Sequence, residues 1–301
     1  MSRTAFLFPG QGAQTVGMAR DLVEKRPEAR ALFDRAAAVL GYDLLAVCID
    51  GPKERLDATV VSQPAIYVAS LAALEQLKID EPDAIAACSC AAGLSLGEYT
   101  ALAFAGAFSF EDGLRLVQKR GEAMQAAADT RPGAMASVLL MEQDRLEEFV
   151  AAAASLGPVR IANFLCPGNL VVSGATPAVE QVQKQAEEAG HRVVRLAVAG
   201  AFHTELMKPA DERLAEALAG VAMAAPRVPV WSNVDARPHS DPAEIRGLLV
   251  RQVVEPVRME ALLRGLIADG VATFYEVGPN RHLAGLLKRI ARGAKVVNVA
   301  A

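Results

Sequence analysis

The segment Gly93-Leu94-Ser95-Leu96-Gly97 has the residue types and spacing that make a serine nucleophilic. Glycines two positions before and after the serine permit a tight, strained turn on which its Oγ stands exposed. An apolar run precedes this segment and a helical pattern follows it from Glu98. A helix placed there aims its N-terminal N–H groups at the point where an oxyanion develops. The serine also needs a base. The chain has four histidines, His191, His203, His239 and His282. His191 precedes a short strand, and His239 lies beside Pro238 and Ser240 in a surface turn. His282 opens a helix after Gly278-Pro279-Asn280, where a solvent-facing or capping role is expected. Elimination leaves His203, which follows Gly200-Ala201-Phe202 and precedes an amphipathic segment. No acid completes an ordinary serine–acid–histidine order, because the carboxylates between Ser95 and His203 fall on helices, as Glu147 and Glu187 do. Something other than a carboxylate is expected to orient the imidazole.

The elements that must hold these residues alternate short apolar runs with longer amphipathic ones. Thr4 to Phe8 reads as a buried strand, followed by a turn-rich stretch through Gln14. A helix is expected from near Ser62, with Pro64 in its first turn, to about Lys78. A strand is expected over Ala84 to Cys90, with Ser89 in its core. Ser109 and Asp112 form a capping pair for a helix through Arg120 toward Ala128. The rhythm then changes. Strand 133–140, helix 143–155, strands 159–164 and 170–174, helix 177–188 and strand 192–199 follow in β-α-β-β-α-β order, the ferredoxin-like split unit. The chain therefore reads as a large α/β-hydrolase-like domain with a parallel sheet, residues 1–130 and 200–301, carrying an inserted ferredoxin-like small domain over 131–199. The large domain resumes with a helix after His203 and strands at Val228 to Asn233 and Thr273 to Val277.

Composition narrows the function classes. The 301 residues are 52% hydrophobic and 22% charged, which is globular, and the net charge of −4 gives no basic footprint for nucleic acid. No apolar run approaches the roughly 20 residues of a membrane span, and the N-terminal apolar run is too short for a signal peptide. Cys48, Cys88, Cys90 and Cys166 lack the spacing of a zinc site or disulfide framework and read as small buried hydrophobes in a reducing cytoplasm. No metal is expected.

Taken together these residues resemble the malonyl-CoA:acyl carrier protein transacylase family, from Phe6 to about Ile290. The resemblance is carried by Phe8-Pro9-Gly10-Gln11-Gly12-Ala13-Gln14, by Gly93 through Tyr99, and by Lys119-Arg120-Gly121-Glu122-Ala123-Met124. Ala162-Asn163, Cys166-Pro167-Gly168-Asn169, Ala201-Phe202-His203-Thr204 and Met207-Lys208-Pro209 continue the series. Asn233-Val234-Asp235, Val250-Arg251-Gln252 and Tyr275-Glu276-Val277-Gly278-Pro279 complete it. It implies ping-pong transfer of malonyl from malonyl-CoA, through a Ser95 ester, to the phosphopantetheine thiol of a holo acyl carrier protein, with no bound cofactor. It further implies that His203 is the base and that the main-chain carbonyl of Gln252 holds its ring. The N–H groups of Gln11 and Leu96 would form the oxyanion hole, and Arg120 would clamp the malonyl carboxylate. Phe202 would favour malonyl over branched acyl groups, and Asn163 and Gln63 would line or support the site. Without the resemblance, Arg120 is a solvated charge on a helix face and Gln11 an ordinary turn residue.

Two positions depart from the family pattern. Leu94 stands where histidine is usual, and Asn169 where glutamine is common. The first leaves open a hydrolase that clears acyl groups from carrier proteins. A docking subunit of a larger synthase, or a polyketide-pathway acyltransferase using another acyl-CoA, are further alternatives. Because carrier proteins are typically acidic, Lys288, Arg289, Arg292 and Lys295 are candidate docking cations.

Overall fold

The computed structural model describes residues 3–198 and 200–301. Its ten strands are β1 (Arg3–Phe8), β2 (Cys88–Gly93), β3 (Gly133–Leu139), β4 (Val159–Cys166), β5 (Asn169–Ala175), β6 (Arg192–Arg195), β7 (Val230–Trp231), β8 (Pro238–His239), β9 (Val271–Val277) and β10 (Lys295–Val299). Six of them form one sheet in the order β10-β9-β1-β2-β7-β8, parallel except for the antiparallel edge pair β7–β8. The central strand explains the arrangement. Ala5 to Phe8 are fully buried, as a parallel strand covered by helices on both faces requires. Phe6 stacks against Phe104 and Tyr275, with centroids 5.0 and 5.1 Å away. Each such ring contributes about 1.5–3 kcal/mol on burial.

The other four strands form an antiparallel sheet in the order β4-β5-β3-β6. Period-two alternation gives this sheet two apolar faces. Ala136, Val138, Leu170 and Val172 join Leu146, Phe149, Val179 and Val182 of the helices Gln143–Ala153 and Thr176–Glu188 in a small core of their own. Met135, Val171, Leu165 and Cys166 instead join the main core. The small sheet thus carries its helices on one side and leans on the large sheet's side of the molecule with the other. The α/β class and the split β-α-β-β-α-β order are as the sequence pattern indicates.

Several elements differ from the sequence expectation. The strand expected at Ala84 to Cys90 is displaced: Pro82–Ala86 is helical and β2 runs Cys88–Gly93. Pro82 and Asp83 make a favourable helix start, and pairing with β1 in the register Phe8↔Gly93 draws the strand onward. The helix expected from Ser62 begins at Thr59, so Pro64 lies inside it rather than in its first turn. Pro209 delays the helix after His203 until Ala210, leaving only a turn of 3₁₀ helix at Glu205–Met207. The last small-sheet strand, β6, stops at Arg195; its expected end at Ala199 lies outside the described residues. The strand expected over Val228 to Asn233 is reduced to Val230–Trp231. The helices between Arg20 and Asp57, the helices Pro242–Gln252 and Met259–Ala268, and β10 had no counterpart in the sequence pattern. No helix among the described residues is long and apolar enough to cross a membrane.

Candidate active site

The turn between β2 and the helix Leu96–Phe104 puts Ser95 at φ 50°, ψ −99°. A non-glycine residue at positive φ costs about 1–3 kcal/mol, which surrounding bonds must offset. Asn233 supplies two of them. Its Oδ1 accepts from the Ser95 N–H at 2.6 Å, and its Nδ2 donates to the Gly93 carbonyl at 2.7 Å. The glycines matter through close approach. A Cβ on Gly97 would lie 2.1 Å from the Phe8 carbonyl oxygen, and one on Gly10 would lie 2.4 Å from that of Leu94. The segment after β1 is therefore pressed against the serine turn, which brings Gln11 beside it. Neither the Gln11 N–H nor the Leu96 N–H has an acceptor among the described residues. Two such donors near the serine turn have the character that a developing oxyanion requires.

His203 is 3% exposed and itself sits at φ 62°. Its Nε2 is 3.0 Å from Ser95 Oγ, and its Nδ1 is 2.8 Å from the main-chain carbonyl of Gln252. A carbonyl only accepts, so Nδ1 carries the proton and Nε2 presents a lone pair to the serine. Burial, and next the Arg120 charge, push the imidazole down to about 4. At neutral pH the ring is an unprotonated base. No carboxylate among the described residues hydrogen-bonds it.

Arg120 comes from the helix Phe110–Thr130, whose N-cap is Ser109, accepting from the Asp112 N–H. Its exposure is 2%, and its guanidinium lies 5.4 Å from the centroid of the Tyr99 ring. Nη1 donates to Gln63 Oε1 at 2.8 Å; Nη2 donates to Ser95 Oγ at 2.8 Å and to Gln252 Oε1 at 3.0 Å. Nε has no acceptor, and no carboxylate pairs with this cation among the described residues. A guanidinium cannot shed its charge, so Arg120 is a buried cation without an ion-pair partner among the described residues, aimed at the Ser95 hydroxyl. Because its N–H groups can only donate, Ser95 Oγ accepts from Arg120 and sends its own proton toward His203.

Gln63, fully buried on the helix Thr59–Asp80, reaches Arg120 and, through Nε2, the Met124 sulfur at 3.5 Å. Phe202 is buried in the main core, and its carbonyl accepts from Ser173 Oγ of β5 at 2.8 Å, tying the His203 segment to the small sheet. Asn163 sits at a bulge of β4, bridged to Val257, and its buried Oδ1 has no partner. Leu94 is packed in the main core. Asn169 accepts from Ser137 Oγ within the small sheet. His239 lies between Asp235 and Glu244 at the sheet edge, away from Ser95. Lys288, Arg289, Arg292 and Lys295 are all exposed, and Arg289 donates to the Pro167 carbonyl, joining its helix to the β4–β5 turn. Two functional neighbours had no role in the sequence reading. Asn233 brackets the serine turn and Glu98 binds Gln252, although both lie within quoted motifs. Their only prior signal was a polar residue set among apolar strand and helix neighbours.

A strained serine after a parallel strand, a histidine within hydrogen-bond distance of it and two N–H groups without acceptors among the described residues are the parts a serine acyl-transfer enzyme on an α/β sheet requires. The family model for the acyl transferase domain matches residues 5–301, and the chain belongs to that family. It is 43% identical to the malonyl CoA-acyl carrier protein transacylase of Bacillus subtilis, over 99% of this chain and 94% of that protein. The human mitochondrial malonyl-CoA-acyl carrier protein transacylase is 44% identical, over 95% of this chain and 76% of its own. Among solved structures, a malonyl transacylase in complex with a type II polyketide synthase acyl carrier protein superposes with a TM-score of 0.93. It is 38% identical, over 100% of this chain and 96% of that one.

Proposed function

We propose that this enzyme transfers malonyl from malonyl-CoA to the phosphopantetheine thiol of a holo acyl carrier protein through an ester on Ser95. The observation that carries this reading is Arg120: a buried cation with no carboxylate hydrogen-bonded to it among the described residues, its Nη2 2.8 Å from Ser95 Oγ, fits an acyl group that brings its own carboxylate. A hydrolase of uncharged acyl groups gains nothing from it.

In the first half-reaction the Ser95 proton passes to His203 Nε2 as Oγ attacks the thioester carbonyl. The oxyanion is received by the Gln11 and Leu96 N–H groups, and the Gln252 carbonyl steadies the imidazolium through Nδ1–H. Collapse expels the CoA sulfur, which takes the proton from Nε2. In the second half the carrier thiol gives its proton to His203 and attacks the ester, and Ser95 leaves reprotonated. Arg120 exchanges its bond to Ser95 Oγ for the malonyl carboxylate, which frees the hydroxyl oxygen to attack. Phe202 and Asn163 shape the acyl cleft. Every step uses protein groups and the two substrates, with no cofactor. A cytoplasmic setting belongs to the same proposal, since Cys48, Cys88, Cys90 and Cys166 are all free thiols, as a reducing compartment keeps them.

The test is mass spectrometry after mixing with malonyl-CoA alone. One malonyl group is expected on the peptide containing Ser95, stable until holo carrier protein is added and absent in Ser95→Ala. An adduct lost to water as fast as to carrier protein would make the enzyme a hydrolase.

A further inference from the structure

Among the described residues, Glu98 is the one carboxylate buried at this site, 2% exposed in the first turn of the helix Leu96–Phe104. Its Oε2 accepts from Gln252 Nε2 at 2.7 Å and from the Asn233 N–H at 2.9 Å. Gln252 Nε2 also donates to the Ser95 carbonyl, more weakly, at 3.1 Å. On the other side of the same amide, Gln252 Oε1 accepts from Arg120 Nη2 at 3.0 Å. A side-chain amide has two orientations related by a half-turn, and here they are far from equal. As placed, donors face acceptors throughout. Turned over, the NH₂ would face a guanidinium and the oxygen a carboxylate, so buried polar groups would lose their partners.

We propose that Glu98 is a positioning residue for Arg120, acting through the Gln252 side-chain amide, and thereby sets the enzyme's preference for acyl groups that carry a carboxylate. This rests on Arg120 being the partner of the malonyl carboxylate. What Glu98 supplies is an acceptor at the right reach. It does not pair with Arg120 itself, because the amide stands between them, and so the cation stays available to substrate. The same amide belongs to the residue whose main-chain carbonyl holds His203, so clamp and base are registered to one anchor point.

Reach and charge separate cleanly by substitution. Glu98→Gln keeps the length and can present its Oε1 to Gln252 Nε2 and the Asn233 N–H. Its NH₂ would turn toward Ser232, which neighbours the carboxylate. Glu98→Asp keeps the charge but draws the acceptor back by one methylene.

The readout is the ratio of kcat/KM for malonyl-CoA to that for acetyl-CoA, with holo carrier protein as acceptor. Glu98→Gln is expected to keep the ratio within about twofold, and Glu98→Asp to lower it roughly three- to tenfold through KM for malonyl-CoA. A role confined to folding would lower kcat equally for both donors and leave KM and the ratio alone, which would overturn the proposal. A ratio lost in Glu98→Gln but kept in Glu98→Asp would overturn it too, by assigning the effect to charge. Should Glu98→Asp fold poorly, Gln252→Met removes the amide and keeps the main-chain carbonyl. It should show the same loss of ratio, and an unchanged ratio refutes the relay. Arg120→Ala is measured alongside. If that variant keeps the ratio, the carboxylate-clamp reading has failed; if it loses the ratio and Glu98→Asp does not, only the positioning inference has failed.

Discussion

Arg120→Ala removes the buried cation while leaving Ser95, His203 and the oxyanion donors in place. For malonyl-CoA it deletes one side of a charge pair formed in a buried cleft, a loss that costs about 2–5 kcal/mol. Taking about 3 kcal/mol, kcat/KM for malonyl-CoA should fall on the order of a hundredfold. For acetyl-CoA there is no carboxylate to lose, and Ser95 Oγ is freed from the 2.8 Å bond donated by Nη2. That rate should hold or rise. The substitution also leaves Gln63 Oε1 and Gln252 Oε1 without a donor, worth about 1–3 kcal/mol each in stability. Melting temperature and active-site titration therefore belong in the assay, so that lost protein is not read as lost chemistry. A second consequence concerns pH. Burial is the larger cause of the low His203 value of about 4 and the Arg120 charge the next. Without the charge, the acid limb of kcat/KM for acetyl-CoA should move up from near pH 4 but stay below the ordinary histidine value. Malonyl-CoA turnover within threefold of the parent enzyme, with the acid limb unmoved, would refute both the clamp and the electrostatic argument.

Three further outcomes are expected. Between pH 6.5 and 4 the unfolded chain binds a proton at His203 that the folded chain refuses, so this group's contribution to stability falls as pH drops, by about 3 kcal/mol. The stability difference between the parent enzyme and His203→Gln, measured by denaturant titration at pH 7 and pH 4, should shrink by that amount; a constant difference contradicts the depressed value. Gly10→Ala puts a methyl 2.4 Å from the Leu94 carbonyl oxygen. The Gln11 segment must then retreat, and kcat should fall on the order of tenfold or more with KM for malonyl-CoA little changed, since the lost donor acts mainly in the transition state. Charge reversal at Lys288 and Arg292, both exposed, should raise KM for carrier protein several-fold at low salt and leave malonyl-CoA hydrolysis unchanged. An unaltered KM removes them from the docking surface.

What was legible in the sequence followed from local constraint. Ser95 announces itself because the glycines around it answer to backbone sterics within five residues. His203 emerges because only four histidines compete. The small sheet is readable because its two faces bury different cores and so impose period-two alternation on β3 and β5. Gln252 and Arg120 are another matter. Gln252 reaches His203 through its main-chain carbonyl, which every residue type possesses, so its identity carries no signal for that role. Arg120 sits in an ordinary charged stretch with Lys119 and Glu122, and those two pair with each other on the outer face while Arg120 turns inward. Only the packing of the helices Thr59–Asp80 and Phe110–Thr130, with Gln63 on the facing side, makes the difference. The displaced β2 has the same origin: an alanine-rich run has no periodicity to separate helix from strand, and pairing with β1 decides it.

If Arg120 holds the malonyl carboxylate, as proposed, the lack of a carboxylate on His203 among the described residues contributes to that specificity. An aspartate on Nδ1 would raise the imidazole's basicity, but it would also place an anion in the same buried pocket as Arg120, where low dielectric makes opposite charges hard to keep apart. The guanidinium would then arrive at substrate already partnered. A main-chain carbonyl orients the ring through the same hydrogen bond, 2.8 Å long, while offering Arg120 no competing charge. The buried carboxylate that the site does contain, Glu98, is held on the far side of the Gln252 amide. Resting-state basicity is reduced by this arrangement, since Arg120 presses the imidazole toward its neutral form. That disadvantage is lifted when the malonyl carboxylate neutralises Arg120, and it persists when acetyl-CoA binds instead. The acid limb of the acylation rate in the enzyme–substrate complex should therefore lie higher for malonyl-CoA than for acetyl-CoA. Pre-steady-state measurement of CoA release across pH 4–7 compares the two directly, and coincident limbs would show that substrate charge does not reach the base.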